Sequence, residues 1–228
     1  MQLASQAVTS DDRQKVCRAV ADAESQTSAE IVPVVATTSG RYDRAEDVVG
    51  LWLSVISLVL VASLWPPAPH EAGAWGGLPA WAHLAVLAGS VVAGFILGVF
   101  IASRIGWLRR LFTPRTLIQE EVQSRARHVF FDNRVHHTQG RGGLLIYVSL
   151  FEHQAVLLAD AAIVDALGQP SLDALCQQLT ATLRTGDLTT ALCATITAAG
   201  QQLANILPAQ ETKINELPDA LVILDKPL

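Results

Sequence analysis

Two stretches of this chain run for the length of a helix without a charged side chain, whereas the remainder mixes polar and apolar residues as a folded domain does. From Val48 to Trp65 the sequence VVGLWLSVISLVLVASLW would rise about 27 Å as a helix, close to the ~30 Å of a hydrocarbon core. A second run, between Trp81 and Trp107, contains AHLAVLAGSVVAGFILGVFIAS and stays uncharged until Arg104. Core helices of soluble proteins keep a polar stripe at this length, and neither segment has one. The pattern therefore predicts transmembrane helices over 48–65 and 81–107, joined by a short connector, 66–80, rich in proline and glycine.

Arginine placement orients the pair. Arg41 and Arg44 precede the first span, Arg104, Arg109, Arg110 and Arg115 follow the second, and the connector holds no lysine or arginine. Cationic flanks stay on the cytoplasmic side, so the connector is expected outside and both chain ends inside. Arg104, Arg109, Arg110 and Arg115 are also placed to meet anionic lipid.

Outside the spans the periodicity is that of an α/β domain. Ser10 to Gln26 predicts a helix with Val16, Ala19, Val20 and Ala23 on one face, and Glu30 to Ala36 a short β-branched strand. Pro33 argues against a central place for that strand. Pro114 to about Val135 has helical spacing, with Leu117, Val122, Val129 and Phe130 as core candidates. Gly142 and Gly143 end it before the strongest strand signal, Leu144 to Phe151, and a polar step at Glu152 and His153 leads into Ala155–Ala159 as an antiparallel hairpin. Helices then open at Pro170-Ser171 and at Gly186-Asp187, with Leu172, Leu175, Leu179 and Leu183, then Leu188, Leu192, Ile196, Ala199 and Leu203, facing inward. A helical crossover between the first two strands makes them parallel. The spans are thus inserted in one discontinuous domain, 1–47 with 108–228.

Composition narrows the function classes. Half the residues are hydrophobic and only 16% charged, which suits a membrane segment joined to a soluble domain. A net charge of −5 excludes the broad basic face a nucleic-acid binder needs. Cys17, Cys176 and Cys193 form no CxxC pair and read as small hydrophobes in a reducing compartment. Met1 to Asp12 has no basic start followed by an apolar run, so no cleaved signal peptide is expected.

Four segments in order, SAEIVPVVATTSGRYDRAEDVVGLW, HHTQGRGGLLIYVSLFEHQAVLLADAAI, LRTGDLTTALCATITAAGQQLANILP and NELPDALVIL, resemble the TPM domain family, in the bacterial branch that carries a membrane hairpin inside the domain. The resemblance implies a three-layer α/β/α sandwich around a small sheet, held at the bacterial inner membrane. Relatives implied by it include a thylakoid repair protein with an acid-phosphatase label and an ion-channel regulator. Two departures stand out: Arg141-Gly142-Gly143 replaces the usual arginine–threonine–glycine, and the charged residues usual after the strand are thinned to His153-Gln154-Ala155.

No nucleophile motif, P-loop, dinucleotide fingerprint or zinc spacing is present. Asp43, Glu46 and Asp47 lie just past the first strand, at the carboxyl end of a parallel pair, where open α/β sheets place ligands. Three carboxylates suit a divalent cation such as calcium, though not with EF-hand spacing, and some relatives are implied to bind such an ion in these loops. They also suit a solvated capping cluster. His136 and His137 are adjacent and point apart on a regular element. Asp160 reads as a cap or as a site-closing carboxylate, and His153 as a solvated turn residue. On the second span Ser90, Gly94, Gly98 and Ala102 form a small-residue seam, filled either by the first span through Gly50 and Ser54 or by a second copy in a homodimer. Two functions follow as expectations. One is an accessory, assembly or regulatory module for another membrane protein. The other is a metal-assisted phosphatase-like hydrolase using Asp43, Glu46 or Asp47.

Overall fold

The computed structural model describes residues 3–40, 43–66, 79–105, 113–137, 142–209, 217 and 220–226. Arg41, Arg109, Arg110, Arg141 and most of the 66–80 connector lie outside them, as do the side chains of Asp43, Arg44 and His137. The chain divides into two units, 1–41 with 116–228, and 42–115.

The first unit is built on a sheet of β1 (Glu30–Ala36), β2 (Gly143–Ser149), β3 (Gln154–Ala159) and β4 (Val222–Leu224), in the order β3-β2-β1-β4. β1 runs parallel to β2 from Glu30↔Gly143 to Ala36↔Ser149 and parallel to β4, while β2 and β3 form an antiparallel hairpin. Contrary to the inference from Pro33, β1 is central. The register explains how. Glu30 N–H donates to the Gly142 carbonyl on the β2 side, so by alternation the nitrogens of Ile31, Pro33 and Val35 point the other way. β4 begins only opposite Val34, so the missing proline N–H costs no ladder bond. Ile31 N–H, on that same open side, donates instead to the buried Glu24 carboxylate at 2.7 Å.

Helices cover both faces of the sheet. On one, Ile31, Val35, Leu144, Ile146, Val148 and Leu157 join a core with α2 (Ser10–Glu24), α7 (Gln169–Thr185) and α8 (Leu188–Ala204). The leucines at 172, 175 and 179 supply the α7 stripe, and Leu192, Ile196, Ala199 and Leu203 the α8 stripe. The close approach of α2 to α8 requires Gly200, where a Cβ would stand 2.6 Å from Ala23 Cβ. The opposite face carries Val32, Val34, Leu145 and Tyr147, and α5 (Arg115–Asp132) buries Ile118, Val122, Ala126, Val129 and Phe130. The result is an α/β/α arrangement.

Several boundaries differ from the sequence reading. α5 ends at Asp132 because Arg134 turns into the left-handed region at φ 54°, and a 3-10 turn follows over Val135–His137. Gly143 has to be glycine there, since its Cβ would collide with the Val135 carbonyl. Three short elements had no clear periodic signal: α1 (Ala4–Ala7), α6 (Ala161–Leu167) and β4.

The second unit is a helical hairpin of α3 (Asp43–Leu64) and α4 (Ala80–Arg104). Both are long and apolar enough to cross a membrane. α3 starts at Asp43 rather than Val48, because carboxylates in a first turn are favoured by the helix dipole and extend the helix ahead of its apolar run. Gly94 and Gly98 are buried against α3 of the same chain. A Cβ on Gly94 would lie 2.8 Å from the Leu53 carbonyl oxygen, and one on Gly98 2.7 Å from Gly50 Cα. Ala102 is fully buried, and Ser90 is half-buried with its hydroxyl donating to the Leu87 carbonyl. Nothing lies within 4 Å of a Cβ built on Gly89.

Candidate functional site

The carboxyl ends of β1 and β2 are the place where this topology would present a ligand. The chain leaves β1 through Thr37-Thr38-Ser39-Gly40, and β2 ends on Ser149. The parallel ladder extends one step past the strands, with Leu150 N–H donating to Ala36 and Phe151 N–H to Thr37. His153, at φ 53°, supplies the left-handed residue that closes the β2–β3 turn. This geometry turns Glu152 inward, where it is 2% exposed.

Glu152 gathers the loop after β1. Its Oε1 accepts from Ser39 N–H at 2.8 Å, from the Thr38 hydroxyl at 3.0 Å and from Gly40 N–H at 3.4 Å. Its Oε2 accepts a short hydrogen bond from the Ser149 hydroxyl. The Ser39 hydroxyl donates to Ser149 Oγ at 2.9 Å and sits 2.9 Å from Tyr147 Oη. With its single hydrogen committed to Ser149, Ser39 can only accept from Tyr147. Donation therefore runs from Tyr147 through Ser39 and Ser149 to the Glu152 carboxylate, which accepts. Burial pushes the Tyr147 phenol up to about 12, opposed by its bond to Ser39 and by nearby Arg125, and reinforced by the Glu152 charge. Keeping that proton suits a phenol acting as donor. Ser39, Ser149, Tyr147 and Glu152 are all buried, so none of the three hydroxyls stands as an exposed nucleophile.

A second junction lies beside it. Asp225 Oδ1 accepts from Ser5 N–H at 3.0 Å and from the Thr37 hydroxyl at 3.2 Å, and Ala4 N–H donates to Thr37 Oγ1 at 2.7 Å. Those bonds hold the Asp225 carboxyl below its ordinary range. They tie α1 and β4 to the end of β1.

The residues singled out from the sequence fall on several elements. Asp43, Glu46 and Asp47 fall on the first turn and a half of α3 instead of in a loop, with Glu46 half-buried and Asp47 exposed. Among the described residues no group of three His, Cys, Asp or Glu side chains is close enough to hold a metal, and the Asp43 side chain lies outside that set. His136 stacks edgewise on Phe131 at 4.8 Å. Asp160 caps α6, its Oδ1 accepting from Ala161 N–H at 2.7 Å. Arg104 lies over the Phe100 ring, 4.9 Å from its centroid. The three cysteines are free and half-buried, and Cys176 donates to the Ala155 carbonyl, its thiol raised by burial.

Glu152 is the residue sequence reasoning missed, having been read as part of a polar step. The signal was the coincidence of hydroxyls at Thr38, Ser39 and Ser149 at the ends of neighbouring parallel strands, which calls for a shared acceptor.

No family model matches the chain, and no curated protein matches it. Among solved structures it is similar to the NMR structure of BA42 protein from the psychrophilic bacterium Bizionia argentinensis, at 17% identity over 96% of each chain, with a TM-score of 0.56. At that identity the likeness is one of fold, and the fold is TPM-like α/β.

Proposed function

We propose that this chain is a two-pass protein of the bacterial inner membrane whose α/β domain serves as an accessory, assembly or regulatory module for another membrane protein. The observation that carries the membrane reading is where the apolar surface of the hairpin lies. Only 17% of the α3 window and 11% of the α4 window are buried, whereas a core helix of a soluble protein would be mostly covered. Leu51, Trp52, Val59, Leu60, Ile96 and Phe100 are all more than half exposed, a patch that water does not tolerate and lipid does. The hydroxyls of Ser54, Ser63, Ser90 and Ser103 each donate to a carbonyl of their own helix, which satisfies them without water. Arginines on both flanks and none in the connector favour cytoplasmic ends.

The module reading draws support from the hydrogen-bond cluster at the sheet's carboxyl edge, where among the described residues the hydroxyls of Ser39, Ser149 and Tyr147 are buried. Full-length protein in membranes washed with alkaline carbonate tests the anchoring, and reporter fusions in 66–80 and at the carboxyl terminus test the orientation. Release of the chain into the carbonate supernatant would end the membrane reading. Purified protein assayed on a phosphate ester with calcium or magnesium, beside Asp43→Ala, tests the module reading. Metal-dependent turnover lost in that variant would replace it with the hydrolase.

A further inference from the structure

The donors that converge on Glu152 are those a protein uses to seat an external carboxylate. Two consecutive backbone N–H groups, of Ser39 and Gly40, and the Thr38 hydroxyl point at one oxygen, and the Ser149 hydroxyl points at the other. Successive N–H groups in a turn form an anion-binding concavity, and a hydroxyl on the second oxygen fixes the plane of a two-oxygen group. The site stands at the carboxyl edge of a parallel strand pair, the position at which open α/β sheets take their ligands. Here the group that fills it arrives from the β2–β3 turn of the same chain.

We propose that this edge is a carboxylate-binding nest which the chain keeps closed with its own Glu152, so that a carboxylate ligand from outside, such as an acidic side chain of a partner, enters only by displacing it. Glu152 is thus an internal ligand, and the contact is autoinhibitory. The inference is independent of whether the hairpin crosses a membrane. It rests on the 38–40 loop, Ser149 and the β2–β3 turn.

Glu152→Ala removes a fragment the size and charge of acetate, which makes acetate the probe. Full-length Glu152→Ala in detergent is expected to gain about 2–4 °C in its unfolding midpoint as acetate is raised several-fold above its dissociation constant. Chloride at the same ionic strength should do nothing, and wild type should be indifferent to both. Equal gains from acetate and chloride, or an equal gain in wild type, would overturn the nest. Rescue by phosphate as strong as by acetate would overturn the preference for a planar, two-oxygen group. Glu152→Gln keeps the shape and one acceptor while removing the charge, and guards against a variant that does not fold. In it, hydrogen exchange at the Ser39 and Gly40 amides is expected to accelerate at least about tenfold, because bonds to an ionised acceptor are roughly twice as strong as neutral ones. Unchanged exchange would mean that the carboxylate charge does not hold the loop, and the proposal would fail.

Discussion

Replacing Gly98 by alanine should loosen the α3–α4 hairpin far more than the same change at Gly89, nine residues earlier on the same helix. The new Cβ at 98 would stand 2.7 Å from Gly50 Cα and 3.0 Å from the Val49 carbonyl oxygen. It therefore falls about 0.7 Å short of ordinary contact at 3.4 Å, and both neighbours are backbone atoms that no rotamer change can move. The helices must separate by that distance locally. A radial gap of ~0.5–1 Å forfeits a quarter to a half of each dispersion contact across the seam, and overpacking of this kind costs about 1–3 kcal/mol. With backbone on the far side, the upper half of that range is expected. Gly94→Ala meets the Leu53 carbonyl at 2.8 Å and should cost a similar amount. The double variant should cost less than the two singles together, because one separation relieves both clashes. Unfolding in mixed micelles of increasing dodecyl sulfate fraction, followed by tryptophan fluorescence, reads these differences. The reasoning fails if Gly98→Ala and Gly89→Ala differ by less than about 0.3 kcal/mol, since additivity errors alone reach that size.

Two further outcomes follow from buried groups in the α/β unit. Glu24→Ala strands the Ile31 N–H on the open side of β1 and should destabilise the domain by about 1–3 kcal/mol, whereas Glu24→Gln, which keeps an acceptor oxygen, should cost clearly less. Denaturant titration of both variants checks this, and equal losses would show that the acceptor is not what matters. The raised phenol of Tyr147, about 12 against an ordinary 10.0, contributes stability that is fully present below pH 10 and is lost as pH rises toward 12, by something on the order of 2 kcal/mol. The part of the tyrosinate absorbance that is lost in Tyr147→Phe should therefore rise only as pH approaches 12. A Tyr147 contribution that rises near pH 10 in the folded protein would contradict the burial argument.

Much of the fold was legible because its signals were long or chemically loud. The leucine stripes of α7 and α8 each bury one face, which periodicity records directly, whereas the strands at 30–36 and 143–149 are buried along their whole length and, like the two uncharged runs, stand out as continuous apolar stretches. Pro33 misled because its meaning depends on which neighbour its nitrogen faces and where β4 begins, and a linear sequence does not carry that information. β4 itself is three residues long, too short for any period to show. Glu152 was hidden for a related reason. Its inward turn depends on the left-handed conformation of His153 and on hydroxyls contributed more than a hundred residues earlier in the chain, so its partners become visible only once β1 and β2 are in register.

The same dependence bears on where activity can reside. Asp43, Glu46 and Asp47 lie beyond Gly40, and Thr38, Ser39 and Gly40 are pinned by a carboxylate that already receives a hydrogen bond from each of them. A hydrolytic site built at this edge would have to give up those bonds before it could offer Ser39 or Ser149 to a substrate, and each buried donor left unmatched costs about 1–3 kcal/mol. Several such losses together would consume much of the ~5–15 kcal/mol that holds a domain folded. A ligand that brings its own carboxylate replaces the bonds it displaces and avoids that loss. Under the carboxylate-nest proposal the sheet edge would exchange one acidic group for another, and phosphate, whose oxygens could accept the same bonds, is the competitor that the acetate comparison separates.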